Sequence, residues 1–67
     1  MTGIRTVTPK ELEVGKLIQQ GYTYEEIADA MGISPRTAKS YTDRLKLKLN
    51  VEKKRHIPAA LKEKGLI

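Results

Sequence analysis

The chain has 67 residues, no cysteine and a formal net charge of +5 at pH 7. A chain this short buries only about 60% of the surface its unfolded form exposes, which allows one thin core and little room for an enclosed active site. Without cysteine there is no disulfide or thiolate metal site; no apolar run approaches the roughly 20 residues of a membrane span and no secretory pattern opens the chain, so a cytoplasmic location is expected.

Thr8-Pro9-Lys10-Glu11 predicts the first helix start. Thr8 can cap, Pro9 suits the first helical position, and Glu11 completes a capping box. Leu12, Val14, Leu17 and Ile18 supply a loose apolar face, and Gly21 is placed to end the helix in a left-handed conformation. Gly15 is the odd member, because glycine inside a helix costs about 1 kcal/mol against alanine. Its presence suggests the close approach of a neighbour that the sequence does not name.

Thr23-Tyr24-Glu25-Glu26 is a second capping box, followed by a stripe of Ile27, Ala28 and Met31 and a stop at Gly32. Ser34-Pro35 restarts the chain at once as a third helix. So short a joint forces a steep crossing, the helix-turn-helix geometry. On the third helix Ala38, Tyr41, Thr42, Leu45 and Leu49 recur at the helical period and make a buried face. The opposite stripe is Arg36, Lys39, Ser40 and Asp43. Residues 45–49 alternate leucine and lysine and so also fit a strand, but their continuity with the helix favours helix. Leu47 then falls on the wrong side and is expected to be covered by the C-terminal segment. Asn50 can serve as a left-handed stop, residues 52–56 form a basic connector, and Pro58 opens a short last helix closed by Gly65. The expected fold is therefore one all-α helix-turn-helix domain over residues 1–67, three to four helices at about 9–20, 24–31, 35–49 and 58–64.

Charge is divided unevenly along these elements. Residues 1–33 hold three basic and five acidic side chains, whereas residues 34–67 hold ten basic and three acidic. A basic half on a small domain is the footprint of nucleic-acid binding, set against the plainer alternative of a lysine-rich surface. No nucleophile–base pair, paired carboxylates or phosphate-binding glycine loop stands out, and the lone His56 has no companions at metal-ligand spacing. No enzyme, cofactor or metal is expected.

The residues Thr8-Pro9-x-Glu11-Leu12-Glu13-Val14, then Gly21, Glu26-Ile27-Ala28 and Gly32-Ile33-Ser34-Pro35-Arg36-Thr37-x-Lys39 resemble the LuxR/GerE-type helix-turn-helix domain. The likeness runs without gaps from residue 8 to about residue 51, and Gly65-Leu66-Ile67 resembles that family's ending. It implies a bacterial or phage transcription regulator whose third helix, residues 35–49, enters the major groove of double-stranded DNA. The length is close to that of the family's stand-alone members. By position, Lys39, Ser40 and Asp43 resemble the base-contacting sites, where lysine donates to guanine and serine donates or accepts. Thr23, Ser34, Arg36, Thr37, Arg44, Lys46 and Lys48 are suited to phosphate, Thr23 beside the amides that open the second helix.

The sequence departs from the family pattern at several places. Gly15 replaces a usual leucine, Lys46 a usual apolar residue, and Glu25 stands where polar or basic residues often touch the backbone. Asp43 has two open readings: it accepts from a cytosine amino group, or it pairs within its helix with Lys39 or Lys46. Pro58 shortens the helix through which the family commonly dimerises, so a monomer or weak homodimer is expected. Two other roles compete with that of a sequence-specific regulator. One is a small module that binds RNA polymerase or a recombinase, and the other is an architectural DNA binder with little sequence preference.

Overall fold

The first three helices begin, and all four helices end, on chemistry confined to a few neighbouring residues. The computed structural model describes residues 6–67, and there the helices are α1 (Pro9–Gln19), α2 (Tyr24–Met31), α3 (Pro35–Leu49) and α4 (Ile57–Glu63), with no strand among the described residues. Thr8 and Thr23 both complete capping boxes. Each hydroxyl accepts the amide three residues on, and Glu11 and Glu26 return a carboxylate oxygen to the cap amide. Ser34 caps α3 by accepting the Thr37 amide at 3.1 Å. The four helices close alike, with an amide donating to the carbonyl five residues earlier: Tyr22 to Leu17, Ile33 to Ala28, Val51 to Lys46 and Leu66 to Leu61, at 2.9 to 3.1 Å. Such a bond needs a left-handed residue before the donor. At the turn into α3 that residue is Gly32, with φ 68°, and at the end of α3 it is Asn50, with φ 58°.

The core forms where the helical stripes meet. Val14, Ile27, Ala38, Leu45, Ile57 and Leu61 are fully buried, and Thr42 joins them by donating its hydroxyl to the Ala38 carbonyl at 2.9 Å. All-α and helix-turn-helix, the fold sets α2 and α3 around the joint Gly32-Ile33-Ser34 and packs α1 and α4 behind them. Gly15 explains itself here. A Cβ at this position would run into the Leu61 side chain of α4. α4 starts near the end of α1, where Lys53, Lys54 and Arg55 lie beside Ile18 and Gly21.

The bounds of two helices shift by one residue and one expectation is corrected. α1 stops at Gln19, with Gln20 as its cap. The last helix spans 57–63, not 58–64, and a 3₁₀ turn, Lys54–His56, runs straight into it. Ile57 is thereby wound into helical geometry (φ −61°, ψ −48°) although a proline follows, and full burial of its side chain offsets the disfavoured backbone. Leu47 is not covered: it is 72% exposed, because it continues the outward stripe of α3 at i+4 from Asp43. The expected helix 24–31 and helix 35–49 coincide with α2 and α3.

Candidate nucleic-acid interface

The polar stripe of α3 stands in solvent as a helical row. Arg36, Lys39, Ser40 and Arg44 are exposed, and Asp43 is half exposed. Asp43 sits between two cations of its own helix. Its carboxylate lies 3.3 Å from the Lys39 ammonium and 3.4 Å from that of Lys46. Partial burial pushes the carboxyl upward, but the hydrogen bonds and charges of Lys39 and then Lys46 outweigh it and hold the group below the ordinary carboxylate range. The three side chains form a ladder of alternating sign, with Ser40 beside it. Arg44 is stacked toward the Tyr41 ring, 5.8 Å from its centre.

Where α3 starts, α2 starts too. Thr23, Tyr24 and Glu25 share an open hollow of about 480 Å³ with Pro35, Arg36 and Lys39. Two basic side chains of α3 therefore face the capped first turn of α2, whose end carries a partial positive charge. Glu25 is the one acid in that hollow. Ser34 and Thr37 stand at the same end, but their hydroxyls bond each other at 2.9 Å as well as forming the cap. Their first duty is to hold the helix start.

Lys48 lies elsewhere, against the expectation that put it on phosphate. Its ammonium donates to Glu11 Oε1 at 2.7 Å and to the Thr6 carbonyl at 3.0 Å, and only 20% of the side chain is exposed. The helical geometry gives the reason: Lys48 follows buried Leu45 by three positions, so it flanks the core face and not the outward stripe. Glu11 is almost wholly buried. Burial raises its carboxyl, but the Lys48 hydrogen bond and the Thr8 amide outweigh it and leave the group below its usual range. This clasp joins the N-terminal segment, α1 and the last turn of α3.

Arg36, Lys39, Ser40, Asp43 and Lys46 thus run along one face of α3, Thr23 lies beside the start of that row, Arg44 stands next to it, and Lys48 is withdrawn. One neighbour had no signal in the sequence reading. Lys54, in the basic connector, places its ammonium 4.3 Å from the centre of the Tyr24 ring. Nothing in the spacing of residues 52–56 says which way those cations turn.

The model of the family described as bacterial regulatory proteins, luxR family, matches residues 5–59. No curated protein matches the chain. The two capping boxes, the left-handed joint at Gly32 and the capped third helix all lie within the matched span, and the chain belongs to the LuxR family of bacterial regulatory proteins, which bind DNA through a helix-turn-helix domain.

Proposed function

We propose that the protein is a sequence-specific transcription regulator that lays α3 in the major groove of duplex DNA. One observation supports this reading: the outward stripe Arg36, Lys39, Ser40 and Asp43 is solvent-facing and starts beside the first turn of α2, so groups suited to base edges and groups suited to phosphate share one side. In this reading Lys39 and Ser40 reach base edges. Thr23, Arg36, Arg44 and Lys46 meet phosphate, while Ser34 and Thr37 fix the approach of the helix. Asp43 positions Lys39 and Lys46 through its two ion pairs and contacts no base itself. The work is binding, with no catalytic step, and takes place in the cytoplasm.

The test begins with selection of bound sites from random duplex, followed by affinity measurements on the preferred site. Lys39→Ala is expected to cost about 1 to 3 kcal/mol there and to relax discrimination at one base position. Asp43→Ala removes a negative charge from the face and is expected to raise affinity for random duplex more than for the preferred site. If Lys39→Ala changes neither affinity nor base preference, α3 does not read the groove.

A further inference from the structure

Three consecutive cations, Lys53, Lys54 and Arg55, lie outside α3 at the 3₁₀ turn before α4. Lys53 and Arg55 are exposed, and Lys54 is partly covered. Among the described residues none of the three enters an ion pair. Their placement is not arbitrary. Tyr24 lines the hollow shared by Thr23, Arg36 and Lys39, and the Lys54 ammonium rests against that same ring. On the far side, Lys53, Lys54 and Arg55 border a second open hollow, about 460 Å³, with Ile18, Gly21 and Tyr22. Basic side chains therefore stand on both sides of the first turn of α2, at the start of α3 and on the 3₁₀ turn, with Glu25 and Glu26 of that turn between them.

We infer that Lys53, Lys54 and Arg55 form a second, sequence-independent contact to the phosphate backbone of duplex DNA, beyond the first turn of α2. The inference rests on the proposed DNA-binding role and extends it to a surface the α3 stripe does not include. Phosphate fits these groups for three reasons. Cations without a protein counter-ion can exchange solution counter-ions for phosphate, and that exchange drives backbone binding. The ring contact limits the freedom of Lys54 before DNA arrives, which lowers the ordering cost of the new contact. Lysine offers a point charge with no fixed fork, suited to backbone and poor at telling bases apart. A protein partner would instead call for an apolar centre to the patch. Here the apolar side chains lining the hollow are Ile18, which is buried, and Tyr22, which is half-buried, and they leave little apolar surface beside three cations.

The experiment compares the parent chain with K53Q/K54Q/R55Q on the selected duplex and on random duplex across a salt series. A control, K10Q/K62Q/K64Q, removes the same charge from the first turn of α1 and the end of α4, away from the 3₁₀ turn. The inference expects the salt slope of K53Q/K54Q/R55Q to shrink by about 2 to 3 on both duplexes, since each phosphate contact contributes about 0.9. The ratio of selected to random affinity should stay at the parent value, and the control slope should change by less than about one. Single Lys54→Gln, expected to lower the slope by about one, decides the matter should the triple variant fail to fold. An unchanged slope, an equal loss in the control, or an altered selected-to-random ratio overturns the inference. Should the parent bind duplex with a steep slope and respond to Lys39→Ala while K53Q/K54Q/R55Q behaves as the parent, only the second contact fails. Absence of salt-dependent duplex binding by the parent would sink the regulator reading itself.

Discussion

At the scale of single residues, the Glu11–Lys48 pair gives the plainest case of one side chain serving several elements. The Glu11 carboxylate accepts from the Thr8 amide and from Lys48, and Lys48 also reaches the Thr6 carbonyl. Lys48→Met would keep the apolar stem but strand a carboxylate that is only 2% exposed. Breaking a fully buried pair from one side costs about 3 to 5 kcal/mol. Since water reaches part of Lys48, we expect a loss of about 2 kcal/mol at neutral pH, read from denaturant unfolding. The pH dependence has a definite sign. A carboxyl held below its ordinary range in the folded state contributes stability above that range and loses it as pH falls through the folded value. The gap between parent and Lys48→Met should therefore narrow in acid, and it would persist if the lysine acted through its stem alone. Duplex binding gives an independent check. A lysine on phosphate would take about one unit of salt slope with it, whereas a lysine clasped to Glu11 should leave the slope of the folded variant unchanged.

Between elements, the packing of α1 on α4 turns on Gly15. Alanine there would gain about 1 kcal/mol of helix propensity. Its methyl would, however, meet Leu61, which is fully buried and has Leu45 close by. Overpacking of this kind costs about 1 to 3 kcal/mol. Gly15→Ala is therefore expected to lower the melting temperature despite its better propensity. In a double-mutant cycle with Leu61→Ala, the added methyl should recover about 1 kcal/mol or more by occupying vacated space. A Gly15→Ala chain as stable as the parent would show that α4 yields at that contact. This close approach also marks the limit of what was legible in the sequence. The Thr8 and Thr23 boxes, the Ser34 cap and the stops at Gly32 and Asn50 involve residues a few positions apart, so their chemistry is written locally. The buried face of α3 shows in its period. Glu11 with Lys48, Gly15 with Leu61 and Tyr24 with Lys54 are joined only by the folded chain. That is why the sequence alone suits Lys48 to phosphate, puts Leu47 under cover and leaves the direction of Lys54 open. The stripe of α3 was readable as a polar row, but its internal pairing through Asp43 became definite only with side-chain geometry.

For the whole molecule, the distribution of apolar surface bears on how many copies act together. The helix through which LuxR-type domains commonly dimerise is here α4, seven residues long and about 10 Å from end to end. Its large apolar side chains, Ile57 and Leu61, are both fully buried in the core of their own chain. What α4 and its cap Lys64 leave outside is mainly Ala59, Lys62, Glu63 and Lys64 itself. The exposed large apolar residues among those described, Leu47 and Leu66, belong to different segments: the outward stripe of α3 and the chain after α4. A standard protein interface takes about 800 Å² from each partner, roughly a sixth of the 4554 Å² that this chain exposes. Without an apolar centre, such an area would be assembled mostly from lysine and glutamate, which are depleted at interface cores. DNA-free protein is therefore expected to sediment as a monomer at micromolar concentration. Its longest dimension, 33 Å, is close to the 34–36 Å turn that separates successive major-groove sites, so two copies can occupy neighbouring half-sites with little direct contact. Selected sites should then contain half-sites that bind almost independently. Moving one half-site by about half a helical turn should leave the affinity of the other nearly as it was. A dimer that persists well below micromolar concentration without DNA would overturn this expectation, as would a strict dependence of affinity on half-site spacing.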